Sequence, residues 1–419
     1  MSTLADAKAA ALFGARLHAG RAQQAFEAHV RHDLFSQLGM RPGRDDPYPV
    51  YERVRARGPF VWTRMGNLAT VDHGICSQVL RSRRFGVRPE GDSGGADSAA
   101  DFDLSFLERN PPDHDRLRRV VAPAFTPKQM ESYRPRIERT VDILLDRAAA
   151  QGEFDLVESL AAPLPIAVIT ELLGIPDPDA ATFARYGAVI GGALEGVKSL
   201  RQARELMQAN AELERVFTTL FELRRREPRQ DLVSHIVAAA GEQLHPREML
   251  PLCALLLFAG FETTVNLVGN AVQVFLSHPG EWARLTADPG LAGSAVEEVL
   301  RFDPPVQRTA RVSFDETELA GVRVGRGQFV NVLIGGANRD PAVYDDPTRF
   351  DITRATSAEH LAFSAGIHYC LGQSLARLEA RIALAALATR MPRLRAAGKL
   401  VRRNTTLIRG PLRLPVAVQ

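Results

Sequence analysis

The sequence predicts a mainly α-helical protein with a smaller β-rich region, closed into one compact unit. Three observations carry this. Several long segments repeat apolar residues with a helical period. One later stretch alternates apolar and polar residues between glycines. The composition, 45% hydrophobic and 24% charged, is that of an ordinary folded domain. In chain order, residues 61–71 read as a short strand-like region. Residues 89–100, PEGDSGGADSAA, are small, polar and Gly-rich, which predicts a mobile loop. Residues 128–151 place Ile137, Val141, Leu144 and Leu145 on one helical face. Residues 159–173, 201–224, 246–277 and 290–302 are also expected to be helical. Residues 309–332 alternate and carry Gly321, Gly325 and Gly327, which predicts a small β region inserted between helices. A helix is expected over 371–390 and another extended pair over 405–418. No internal repeat is evident.

Bulk properties narrow the function class. A length of 419 residues suggests about three domains as a soft prior, yet it also suffices for a single large core around a cofactor. Lys and Arg outnumber Asp and Glu by only 52 to 49, so nothing points to nucleic acid. The first twenty residues lack the pattern of a signal peptide. The longest charge-free apolar stretch, 249–261, is shorter than the roughly 18 residues of a membrane span, so a buried helix is expected and no membrane partner. Cys76, Cys253 and Cys370 form an odd, sparse set with no disulfide framework, which fits a reducing cytoplasm.

The densest chemistry lies at Phe363-Ser364-Ala365-Gly366-Ile367-His368-Tyr369-Cys370-Leu371-Gly372. A single cysteine before a helix is usually a small core hydrophobe, which is the reading for Cys76 and Cys253. Here the spacing Phe, two residues, Gly, three residues, Cys, one residue, Gly resembles the haem-binding segment of the cytochrome P450 family. That resemblance implies the cytochrome P450 fold, with Cys370 as the thiolate ligand of haem iron. Backbone N–H groups at the following helix start would stabilise the sulfur. Gly366 and Gly372 would let the backbone pass close to a flat macrocycle. Phe363 would pack beside the sulfur. Two departures are visible: Ser364-Ala365 replaces a usual Gly-containing pair, and Asn110 stands before Pro111-Pro112 where an acid is common.

A second constellation, Ala259-Gly260-Phe261-Glu262-Thr263-Thr264, lies inside the long apolar segment. Short Glu-Thr strings are common, but a charge within such a segment is not easily dismissed. It resembles the family's oxygen-activation motif. Thr263 lies four residues after Ala259, so its hydroxyl can take that carbonyl, opening the helix ladder into a polar notch beside the weak point Gly260. Glu262 is expected off the haem axis, toward solvent, relaying protons.

The resemblance also assigns supporting residues. Glu298 and Arg301 are expected to form a structural Glu-x-x-Arg pair, completed by Arg349. His114, Arg118, Arg311 and His368 are the expected cationic partners of the haem propionates. An apolar pocket is expected from Leu255, Phe258 and Ala259 on the long helix, Val306 beside the iron, and Leu407 and Ile408 near the C-terminus. The resemblance runs from about Asp46 to the C-terminus, giving one domain over 46–419 after an N-terminal extension of uncertain order over 1–45.

The implied function is a haem b monooxygenase. It inserts one oxygen atom of O2 into a C–H or C=C bond of an apolar small molecule. Electrons come from a ferredoxin-type donor and its NAD(P)H-dependent reductase. Arg116, Arg119 and Arg377 are expected to form the docking face. Peroxide-driven or isomerase-type thiolate-haem chemistry, or a haem sensor, are the alternatives. An intact acid–threonine pair argues against the first two, and the lack of a visible signalling segment against the third.

Overall fold

The computed structural model describes residues 2–92, 103–176, 180–194, 196–355 and 358–418. Residues 93–100 of the expected Gly-rich loop lie outside the described residues. The organising element is the helix Pro246–Ser277, 32 residues long. Its start is fixed by a reciprocal cap: His245 Nδ1 accepts from the Arg247 N–H, and the Glu248 carboxylate accepts from the His245 N–H. It ends at His278, whose backbone is held away from helical geometry by Pro279. By length and apolarity it could cross a membrane, but 83% of its most apolar stretch is buried within the fold, so it is a core helix.

Helix Pro163–Leu173 crosses this core helix closely at Gly260, where an added Cβ would meet the Ile169 side chain at 2.6 Å. Gly260 is therefore a packing glycine, and the helix continues unbroken through it. Helix Gln373–Arg390 packs against the core helix and against helices Arg134–Ala149 and Ala292–Phe302. The expected helix over 128–151 is two, Pro127–Glu131 and Arg134–Ala149, divided by Ser132 and Tyr133 before Pro135.

The β residues gather mainly in a five-stranded sheet. Its order is Val61–Trp62, Leu68–Thr70, Phe329–Val332, Thr309–Ser313, Phe85–Gly86. Leu68 pairs with Val330 in parallel register, and Arg311 pairs with Val330 from the antiparallel side. The C-terminal strands do not pair with each other. Pro411–Arg413 joins Val401–Arg402, and Pro415–Ala417 lies between Glu153–Asp155 and Arg395–Ala396. The N-terminal residues form the helix Ser2–His29, tied to the body by Gln37 donating to the Ala28 carbonyl (3.1 Å), Glu27–Arg64 (3.5 Å) and Arg21 donating to the Lys198 carbonyl (2.8 Å).

The Glu-x-x-Arg pair is buried and bidentate: Arg301 Nε and Nη2 donate to Glu298 at 2.7 and 2.8 Å. Arg301 also donates to the carbonyls of Asn338, Pro347 and Arg349. The third member is not Arg349. That side chain is 59% exposed and pairs with Asp351 at 3.3 Å. Arg354, 11% exposed, donates to Glu298 at 3.2 Å instead. The backbone contributes Arg349's carbonyl to the network while its guanidinium turns outward. Arg354→Ala should destabilise the protein by about 1–3 kcal/mol, since a buried carboxylate loses a charged donor. Arg349→Ala should cost no more than about 0.5 kcal/mol. Denaturant midpoints of the two variants check the assignment.

Candidate active site

Cys370 sits in a loop held on three sides. Its N–H donates to the Phe363 carbonyl at 2.9 Å, closing the loop on itself. Phe363 is buried, with the Arg377 guanidinium 4.4 Å from its ring centre. Gly366 takes a left-handed backbone (φ +70), and a Cβ there would meet the Leu80 carbonyl at 2.3 Å. Gly366 thus allows close approach to helix His73–Arg81. At Gly372 a Cβ would meet no protein atom within 4 Å, so nothing in the protein itself demands a glycine there. Burial pushes the Cys370 thiol up, while the Gly372 N–H, Arg118 and Arg377 pull it down. Cys76 and Cys253 are sealed in the core and pushed up by burial, without any such donor set for Cys253. Cys370 keeps partial accessibility.

Ser364 occupies a left-handed position (φ +62), and its hydroxyl is buried without a partner. Asn110 has a clear reason. Its side chain accepts from the Val87 N–H and donates to the Arg88 carbonyl, both at 2.9 Å, a donor role that a carboxylate cannot fill.

Beside the cysteine loop, four cation-capable residues converge. The His114 and His368 rings lie 4.4 Å apart, and each has a buried Nε2 with no partner. Arg118 donates to the Tyr369 carbonyl at 2.7 Å. Arg311 is 5% exposed and, among the described residues, donates only to Thr309 Oγ1 and the Ala310 carbonyl. Burial alone pulls Arg311 down to about 10. Burial, with Arg311, His114 and Arg118 nearby, pulls His368 down to about 2, so it is neutral. One carboxylate, Asp115, touches the group, at His114 Nδ1 (2.7 Å). Two guanidiniums and two imidazole nitrogens therefore meet in the interior with no carboxylate on Arg311. Burial of uncompensated cations is unfavourable unless an anion joins them.

That donor set fits haem. Two propionates would supply the missing negative charge, and the cysteine sulfur would supply one soft ligand to iron. Among the described residues no group of three or more His, Cys, Asp or Glu could hold a metal ion.

On the core helix, Ala259 is the one exposed position between Leu252 and Asn270, with Gly260 and Thr263 partly open. Thr263 Oγ1 donates to the Ala259 carbonyl at 3.0 Å, and Thr264 Oγ1 to Gly260 at 3.3 Å. The expected notch exists as a side-chain opening, without a break in the ladder. Leu255, Ala259 and Thr263 share one face at four-residue spacing. Phe258 is buried edge-on to Phe261. Val306 bridges to Ile408, and the Gln307 N–H donates to the Leu407 carbonyl, so these wall residues form one assembly. Glu262 does not face solvent. It is 2% exposed and paired with Arg403 at 2.6 Å, a partner with no signature in the sequence. Burial raises Glu262 despite Arg403 and Asn266, which lower it.

The family model for cytochrome P450 matches residues 291–390. The chain is 41% identical over 385 residues to the cytochrome P450 monooxygenase PikC of Streptomyces venezuelae, covering 88% of this chain and 91% of PikC. It is 37% identical to cytochrome P450 107B1 of Saccharopolyspora erythraea, covering 93% of this chain and 95% of the relative. The chain belongs to the cytochrome P450 family. It is a haem–thiolate monooxygenase. Among solved structures, P450BioI, determined in complex with acyl carrier protein ligated to hexadec-9Z-enoic acid, superposes with a TM-score of 0.84 at 34% identity, over 90% of this chain and 100% of that one.

Ser364→Gly should raise stability by about 1 kcal/mol, since glycine removes both the left-handed strain and the unpartnered hydroxyl. The denaturant midpoint reads this directly, and an unchanged or lowered midpoint counts against the strain at 364.

Proposed function

We propose that Cys370 is the proximal ligand of haem b, with His114, Arg118, Arg311 and His368 holding its propionates. The observation that carries this reading is the buried cation set lying beside a cysteine loop, with no carboxylate for Arg311. Haem, when bound, supplies the activation of dioxygen. The chain's own residues supply the rest. Thr263 has its hydroxyl hydrogen committed to the Ala259 carbonyl, so it presents lone pairs and accepts a hydrogen bond from water or a protonated oxygen species in the notch. Glu262, whose carboxyl is pushed up by burial, passes protons toward Thr263. This intact pair favours O2-dependent oxygen insertion over peroxide-driven or isomerase-type chemistry.

The wall of Leu255, Phe258, Val306, Leu407 and Ile408 suits an apolar substrate. The acyl chain in the P450BioI complex supports a long or bulky apolar molecule. Electrons are proposed to come from a ferredoxin-type protein with an NAD(P)H-dependent reductase, in the cytoplasm. The docking face is narrower than expected. Arg116 is bound by Glu248 and Asp113, and Arg377 by Glu297, so their charges are neutralised. Arg119 is exposed and forms no ion pair among the described residues.

Cys370→Ser should abolish the reduced carbon-monoxide absorption band of thiolate haem, because a hydroxyl is a poor soft-metal ligand; persistence of the band removes Cys370 from the iron. Thr263→Ala should retain substrate binding and lower product formed per NADPH, with electrons lost as hydrogen peroxide. Glu262→Gln should slow turnover by about 10²–10⁴-fold and alter the solvent isotope effect. If both variants merely melt earlier while product per NADPH is unchanged, the pair is only structural.

A further inference from the structure

The C-terminal hairpin is fastened along one stripe of the core helix. Arg403 pairs with Glu262 at 2.6 Å. Gly410 lies so close to Asn266 that a Cβ would meet Oδ1 at 2.0 Å, and a Cβ on Gly269 would meet Pro411 at 2.5 Å. Asn270 donates to the Arg409 carbonyl at 3.0 Å, and Arg402 donates to Gln273 at 3.1 Å. Positions 262, 266, 269, 270 and 273 form a single helix face. The Arg403 N–H donates to the Gly410 carbonyl and closes the hairpin. Between these two residues lie Leu407 and Ile408, the wall residues joined to Gln307 and Val306. One short segment therefore carries two of the proposed pocket residues at its tip and the ion pair with Glu262 at its base.

The other side of Glu262 is also built for it. Helix Ala180–Ala193 presents Gly187 and Gly191 there: a Cβ on Gly187 would meet the Phe261 ring at 2.2 Å and Glu262 Oε2 at 3.2 Å, and one on Gly191 would meet Oε1 at 3.3 Å. The core helix adds Phe261 and Asn266. Among the described residues, Arg403 is the only charged group facing this carboxylate. Its side chain is 12% exposed where Glu262 is 2%. Arg403 is therefore the more solvent-exposed member of the pair, at the edge of the niche that holds Glu262.

We propose that Arg403 is a positioning residue for proton delivery: it fixes the charge and orientation of Glu262, and through its hairpin it links that carboxylate to whatever fills the pocket against Leu407 and Ile408. This rests on the reading of Glu262 as the relay acid. An opposite charge in contact favours the ionised carboxylate, and loss of that charge in a buried niche favours the protonated one.

The test uses the haem-loaded resting protein. The Glu262 carboxyl band is followed by infrared difference spectroscopy across pH and assigned by its absence in Glu262→Gln. Arg403→Gln should move the midpoint of that band upward by roughly one pH unit or more, and Arg403→Lys, which keeps the charge at shorter reach, should fall between it and the parent. Turnover of Arg403→Gln should show a solvent isotope effect changed in the same direction as in Glu262→Gln. Where Arg403→Gln does not fold, the Lys variant carries the comparison. Midpoints equal to the parent's in every folded Arg403 variant, with Glu262→Gln still slow, overturn the role of Arg403 alone. Unimpaired turnover in Glu262→Gln overturns the relay reading beneath it.

Discussion

Uncompensated positive charge in the interior is the constraint on which the site depends. Arg311 is buried on a central strand of the main sheet, with Arg118, His114 and His368 within electrostatic reach. Three elements place the four: a strand carries Arg311, one helix carries both His114 and Arg118, and the cysteine loop carries His368. A protein that folds this way without a counter-anion gives up solvation of its guanidiniums for very little. A dianionic group bound beside them would change that balance, and Cys370, whose thiol is otherwise held up by burial, would be the residue to hold its iron. The same group explains both the charge set and the cysteine.

The distal side follows another constraint, close packing of glycine surfaces. Gly260 admits Ile169, Gly187 and Gly191 leave room for Phe261 and Glu262, and Gly410 meets Asn266. These contacts fix the core helix against two neighbouring helices, Pro163–Leu173 and Ala180–Ala193, and against the terminal hairpin. The exposed positions Ala259 and Thr263 are what remains open. Interiors at this density respond to small shifts as units, so movement of one wall is felt at its neighbours.

What the sequence made legible follows from range. The helix Pro246–Ser277 was readable to the residue because its cap and its terminating proline are local. The cysteine loop was readable because its chemistry depends on spacing within ten residues. Arg354 could not be preferred to Arg349, since each closes its own short turn after an aspartate and only the direction of the side chain decides which reaches Glu298. Arg403 was out of reach: it meets Glu262 across 141 residues, and no pattern in either segment announces the other. Glu262 looked solvent-facing because an ionisable residue in a helix usually is; its buried partner is a tertiary fact. The close approach of Leu80 to Gly366 was likewise out of reach, because it comes from a distant helix.

The central claim is that the buried cations exist to hold the propionates of haem. Arg311→Met tests it most directly, with thermal unfolding midpoints measured on the protein with haem and after haem removal. Removing the charge should lower the midpoint of the haem-loaded protein, which loses a buried ion pair, and leave unchanged or raise that of the haem-free protein, which loses an unpaired buried cation. Equal lowering in both states would show that Arg311 serves packing alone and would contradict the account.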